Sequence, residues 1–311
     1  MSKLTKEIKP NPIISSYCKK EPDNDKIMNM LGVMYYKKGD YEKALSYYNM
    51  AIGKNAKVDV YHENLSVLFR SEGKIEEAIK ALEIALELNP AIDSNWNNMG
   101  VLYFNLDNYD KALEYYFKAV TLKSDVLVYY ENIGLAYEKK QFFTEAINNY
   151  QKALILNAKN SRILNAIGLV YYKEQQYANA IQYYRKAIEI DKQNWIYYTN
   201  LALALHESGF DDEAIKMYEK AVELNKNDYL NWNELGILYF QKENYDEAVK
   251  CYRAAIQLEP NQAVVYLDLA LALSAQGKTD EALNVLQNNE LSHEVKQQAE
   301  ILLQKYLHKP S

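Results

Sequence analysis

The chain has 311 residues, 49% of them hydrophobic, with 10 glycines and 6 prolines, which excludes disorder over most of its length. Its formal charge of −6 speaks against a generally basic surface for nucleic acid or anionic membrane and leaves only a local basic patch open. The two cysteines, Cys18 and Cys251, cannot build a disulfide framework and read as reduced thiols.

Residues 1–24 carry Lys3, Lys6, Lys9, Pro10 and Pro12 around the short apolar pair Ile13-Ile14. This leader lacks the apolar run of a signal peptide and is expected to be partly disordered. No later stretch approaches the roughly 18 apolar residues of a spanning helix, so no membrane contact is expected and the location is read as cytoplasmic.

From Asp25 the chain repeats. Frames of 34 residues start at positions 25, 59, 93, 127, 161, 195, 229 and 263 and run to residue 296 without insertion or deletion. One comb is Ala44, Ala78, Ala112, Ala146, Ala180, Ala214, Ala248 and Ala282; twelve residues ahead of it stand Gly32, Ser66, Gly100, Gly134, Gly168, Ala202, Gly236 and Ala270. Each frame holds two apolar patterns of helical period separated by a polar turn, which predicts a helix A and a helix B. The small residue where A meets B lets the backbones approach, and the stability should reside in nearest-neighbour interfaces. Gly39, Gly73, Gly209 and Gly277 fall in the A–B turn, where a left-handed backbone is needed. Gln141 and Gln175 stand there in frames four and five, so those turns are expected to be strained or differently shaped.

At the front, Ile27, Met30 and Met34 form an apolar end that Ile13, Ile14 and Tyr17 can cover in part, or that can meet a second copy. At the back, Leu286 and Asn289 break the pattern and predict a short last B helix. Ser292 then opens an amphipathic segment over 292–308, with Val295, Leu302 and Tyr306 on its apolar face, which reads as a cap.

The run Trp96, Met99, Gly100, Tyr103, then Ala112 and Tyr116, and the matching run Trp232, Leu235, Gly236, Tyr239, Ala248, Tyr252 closing on Pro260, resemble the tetratricopeptide repeat (TPR). The resemblance covers residues 25–291. It implies an all-α, right-handed TPR superhelical solenoid of about eight helix pairs plus a C-terminal capping helix. It also implies A helices lining a concave groove and a role in protein interaction.

Odd and even frames differ, giving a 68-residue module in four copies. Odd frames share Asn29, Asn97, Asn165 and Asn233 at the fifth place, Tyr36, Phe104, Tyr172 and Phe240 seven residues later, and Tyr41, Tyr109, Tyr177 and Tyr245 opening helix B. Even frames carry Asn64, Asn132 and Asn200 at the sixth place. Helical geometry puts both places on the inner side of helix A, where an Asn can offer donor and acceptor to a peptide bond. The series Asn64, Asn98, Asn132 and Asn200 is similar to the asparagine ladder in the TPR region of O-linked N-acetylglucosamine transferase, which grips peptide backbone. It is interrupted at Met30, Ala166, Glu234 and Asp268. The structural alternative is that these asparagines cap local backbone or bridge adjacent A helices. The aromatics likewise either pack against the next repeat or stack on a ligand.

Lys26, Lys37, Arg70, Lys139, Arg162 and Lys173 in frames one to five face Glu63, Glu131 and Glu138, whereas frames six to eight add only Glu207, Glu234 and Asp268. This predicts a groove that runs from basic to acidic, with Lys139 and Lys173 as steering charges. Val33, Val67 and Val101 hold the places where the carboxylate clamp of chaperone-binding TPR domains needs asparagine, so that clamp is not expected. No metal-ligand spacing, phosphate loop or catalytic motif occurs. His62 is expected in the core and Cys251 unreactive. The reading is a non-catalytic scaffold without cofactor or metal, whose partner is a protein or extended peptide. Self-association through the solenoid ends is the alternative, and RNA binding is disfavoured by the mixed charge.

Overall fold

The computed structural model describes residues 24–287 and residue 297; the rest of the leader, Asn289 and, apart from residue 297, the expected cap over 292–308 lie outside the described residues. The chain divides into two compact units, residues 1–156 and 157–311. In the first unit the helices are α1 (Asp25–Lys38), α2 (Tyr41–Lys54), α3 (Asp59–Ser71), α4 (Ile75–Leu88), α5 (Asp93–Asn105), α6 (Tyr109–Leu122), α7 (Leu127–Lys139) and α8 (Phe143–Leu156). The second holds α9 (Ser161–Lys173), α10 (Tyr177–Ile190), α11 (Trp195–Glu207), α12 (Asp211–Leu224), α13 (Tyr229–Gln241), α14 (Tyr245–Leu258), α15 (Ala263–Ala275) and α16 (Thr279–Gln287). No strand occurs among the described residues. Odd-numbered helices are the A helices and even-numbered ones the B helices.

Short polar side chains set where the helices begin. Oδ1 of Asn24 accepts from the amides of Lys26 and Ile27 at 3.0 and 3.3 Å, and Asn108, Asn160, Asn194 and Asp228 cap α6, α9, α11 and α13 in the same way. Such caps satisfy amides that have no partner within the helix.

Packing within each pair follows the two combs. The comb alanines from Ala44 to Ala248 are fully buried, and the tyrosine four residues on is buried in every repeat that has one. A Cβ placed on Gly32, Gly100, Gly134, Gly168 or Gly236 would lie 2.5–2.7 Å from ring carbons of Tyr48, Tyr116, Tyr150, Tyr184 or Tyr252. Glycine is therefore the seat of a tyrosine ring at the crossing of A and B. Repeat two replaces the pair by Ser66 and Leu82, and Oγ of Ser66 donates to the carbonyl of the comb residue Ala78 at 2.7 Å. Repeat six keeps Tyr218 with Ala202, so the crossing there accommodates one methyl.

Every A–B turn described keeps one shape. Gly39, Gly73, Gly209 and Gly277 have φ of 76–80°, and Asp107, Gln141, Gln175 and Glu243 hold the same left-handed place at 54–62°. In both kinds the turn amide donates to the carbonyl three residues back, as in Gly39 to Tyr36 and Gln141 to Glu138. The turns at Gln141 and Gln175 are thus strained, not reshaped, and Asp107 and Glu243 share a strain that the sequence reading overlooked. Relief of about 1–2 kcal/mol of left-handed strain, less the extra freedom glycine gives the unfolded chain, leaves a net gain of about 0.5 kcal/mol for each of Gln141→Gly and Gln175→Gly. Urea denaturation of the two single variants and the double variant should show gains that add.

Loops between repeats are pinned by the ring at the fourth place of helix A. Nε1 of Trp96 donates to the carbonyl of Pro90 at 2.8 Å and Nε1 of Trp232 to that of Lys226 at 3.0 Å. Tyr198 reaches Lys192 through its hydroxyl at 3.2 Å, and the Nε2–H of His62 reaches the carbonyl of Ala56 at 2.9 Å. His62 is buried, with a loop-holding task.

Candidate functional site

The asparagines of the 68-residue module meet in pairs. Nδ2 of Asn64 donates to Oδ1 of Asn29 at 2.9 Å, Nδ2 of Asn132 to Oδ1 of Asn97 at 2.8 Å, and Nδ2 of Asn200 to Oδ1 of Asn165 at 2.8 Å. Each bond is a rung between successive A helices: α1 to α3, α5 to α7, and α9 to α11. The accepting residues lie deeper, with Asn97 and Asn165 buried and Asn29 half-buried. The donors Asn64, Asn132 and Asn200 are half-buried, and none of their Oδ1 atoms is buried without a partner. Asn98, on the same series, makes no side-chain hydrogen bond; it lines a narrow cleft with Glu63, Val67 and Arg70.

The fourth rung is different. Oδ1 of Asn233 is buried without a hydrogen-bond partner, and the donor place on α15 is held by Asp268. Burial, with Glu234 close by, pushes the Asp268 carboxyl up to about 6. Glu234 is itself raised by burial, an effect reduced by the nearby His206.

The four aromatics of the odd repeats pack against the ring that opens helix B of their own pair, Tyr36 stacked and the others tilted or edge-on. Tyr36 meets Tyr41 at 5.7 Å between ring centroids, Phe104 meets Tyr109 at 5.2 Å, and Tyr172 meets Tyr177 and Phe240 meets Tyr245 at 5.4 Å. They also touch the following repeat: the Tyr36 hydroxyl and Oγ of Ser71 share a hydrogen bond of 2.7 Å, and Phe104 packs on the cluster of Ile133 and Ala136. Lys139 and Lys173 are exposed at the C-terminal ends of α7 and α9, where a cation suits the helix dipole.

Tetratricopeptide repeat profiles match residues 15–58 and 132–194, 61–92 and 197–228, 96–126, and 217–250, and a TPR repeat profile matches 236–277. The chain belongs to the tetratricopeptide repeat family. A search of curated protein sequences finds no match. Among solved structures, the C-terminal part of a TPR repeat-containing protein from Cytophaga hutchinsonii aligns at a TM-score of 0.66 and 19% identity, over 76% of this chain and 98% of that one. MamA protein aligns at 0.50 and 26%, over 54% and 92%. YrrB, described as a TPR protein with an unusual peptide-binding site, aligns at 0.50 and 25%, over 64% and 99%. The TPR fold is a protein-interaction scaffold.

Wider surface clefts of the first TPR unit are lined by A-helix and B-helix residues together. One is lined by Pro90, Trp96, Phe117, Lys118 and Leu122, where Nζ of Lys118 sits 5.0 Å and 4.8 Å from the ring centres of Trp96 and Tyr115. Nothing in the residue pattern announces this surface, because Trp96 occupies a family-pattern place that reads as core. Among the described residues no cluster of His, Cys, Asp and Glu could hold a metal ion, and no described helix is long and apolar enough to cross a membrane. Cys251 is buried, and burial pushes its thiol up to about 12, far from a reactive thiolate.

Proposed function

We propose that this TPR chain is a non-catalytic scaffold that holds an extended peptide segment along its A-helix faces. The observation that carries the reading is the set of amide groups with hydrogen-bonding capacity to spare: the Oδ1 of Asn64, Asn132 and Asn200, each of whose Nδ2 is already engaged in a rung, and the side chain of Asn98, which makes no hydrogen bond. An extended backbone presents alternating N–H and C=O groups, and an asparagine can answer either. The rungs fix three of these side chains in advance, so little rotamer freedom is lost when a ligand binds. The peptide-binding site ascribed to YrrB supports the same class of ligand. Within the second unit, charge would give the peptide a direction, with acidic residues beside Lys173 and basic ones beside Glu207 and Glu234.

Asn98 separates binding from stability because it bridges nothing. Peptide display against the full chain should enrich extended segments, and Asn98→Ala should weaken a selected peptide by about fivefold to tenfold, the worth of one or two hydrogen bonds. Its melting temperature should not move. If no peptide is enriched, or if affinity survives both Asn98→Ala and the pair Lys139→Glu with Lys173→Glu, the reading fails.

Met30, 50% exposed on α1, favours self-association as a second reading. Sedimentation velocity over a range of concentrations decides it, since a monomer throughout removes that option.

A further inference from the structure

Three rungs of this protein share one orientation: the fifth-place Asn of an odd repeat turns its Oδ1 toward the next A helix, and the sixth-place Asn there donates an N–H to it. On α13 the Oδ1 of the corresponding Asn233 is also buried, but it has no hydrogen-bond partner. The side chain in the donor place is the carboxyl of Asp268 on α15, which has no N–H to give. An ionised Asp268 therefore sets acceptor against acceptor, whereas a protonated one supplies an O–H in the place of the missing amide. We propose that Asp268 closes the fourth rung only when it carries a proton, so that repeat eight docks on repeat seven more firmly at mildly acidic than at neutral pH.

The surroundings favour the protonated form. Glu234 approaches from α13 and Tyr252 from α14, and neither supplies positive charge. His206 on α11 acts on Glu234. The Asp268 carboxyl is raised from the ordinary 3.8 to about 6. A group whose folded value lies above its unfolded value holds its proton in the folded state across that interval, so the stabilisation is full below pH 4 and is lost as pH rises through about 6. The rung is thus an element of the peptide-independent fold and stands whether or not the A-helix faces bind peptide.

Hydrogen exchange of the full chain, corrected for intrinsic rates, tests this directly. From pH 7.5 to pH 5.0 the opening equilibrium of α15 and α16 should become about tenfold less favourable, the factor that a folded value near 6 implies. Asp268→Asn installs a fourth Asn–Asn rung. That variant should protect α15 and α16 at pH 7.5 about as well as the parent does at pH 5.0, leaving only the smaller pH dependence that the raised carboxyl of Glu234 contributes. Glu234→Gln, which removes the facing charge, should move the midpoint of the parent's dependence to lower pH. The proposal is overturned if protection in the parent does not change with pH, or if Asp268→Asn fails to raise it at pH 7.5. The latter result would mean that the Asn233 amide turns over and donates its N–H to an ionised Asp268.

Discussion

Gly168→Val should lower the unfolding free energy by about 3 kcal/mol, the upper range for overfilling a packed crossing. A Cβ on Gly168 stands 2.5 Å from Cε1 of Tyr184, and that ring is 1% exposed, so it has nowhere to swing. The helices α9 and α10 must then part, and the loss reaches Ala180 and Ala187, both fully buried along the same contact. Gly168→Ala should cost much less, about 1 kcal/mol, because repeat six already joins Ala202 to Tyr218. Urea denaturation gives the free energies, and hydrogen exchange should place the loss first in α9 and α10, as expected when stability is a sum of neighbour terms. If valine costs no more than alanine, the crossing is looser than its geometry says.

The second large effect concerns the rungs. Replacing Asn64, Asn132 and Asn200 together by alanine should cost about 3–6 kcal/mol, at about 1–2 kcal/mol for each buried acceptor left without a donor. The contributions should rank by burial. Asn97 and Asn165 are 9% and 8% exposed, so losing Asn132 or Asn200 should hurt more than losing Asn64, whose partner Asn29 is half-buried. The double change Asn165→Leu with Asn200→Leu removes donor and acceptor together and should be close to neutral. A measured cost for that pair as large as for Asn200→Ala would mean that the amides act through some other contact. The same variants bear on binding, since they remove the ordered amides while Asn98→Ala removes only an unbridged one.

The helix pairs were legible in the residues because a 34-residue period repeats the same physical demand. A small residue must sit where a tyrosine ring crosses, and the alanine four residues before that ring must vanish into the contact. Turn conformation was half legible. Glycine announces a left-handed residue, but Asp107 and Glu243 look like ordinary loop residues, and only the backbone shows them at φ of 54° and 59°. The asparagine alternation was visible as a pattern with two meanings, ligand contact or bridge between helices. Composition cannot separate them, because an amide is equally fit for either.

The amino-acid sequence by itself determined the repeat, the pairing of helices, the core tyrosines and the four-fold module, since each depends on local period and side-chain size. Only the tertiary structure decided which amides face one another across neighbouring A helices. Asn29 and Asn64 are 35 residues apart, and nothing in either sequence neighbourhood fixes the direction of an amide. It likewise decided that the Oδ1 of Asn233 is buried without a partner, because a donor missing from one rung has meaning only once the other three are formed.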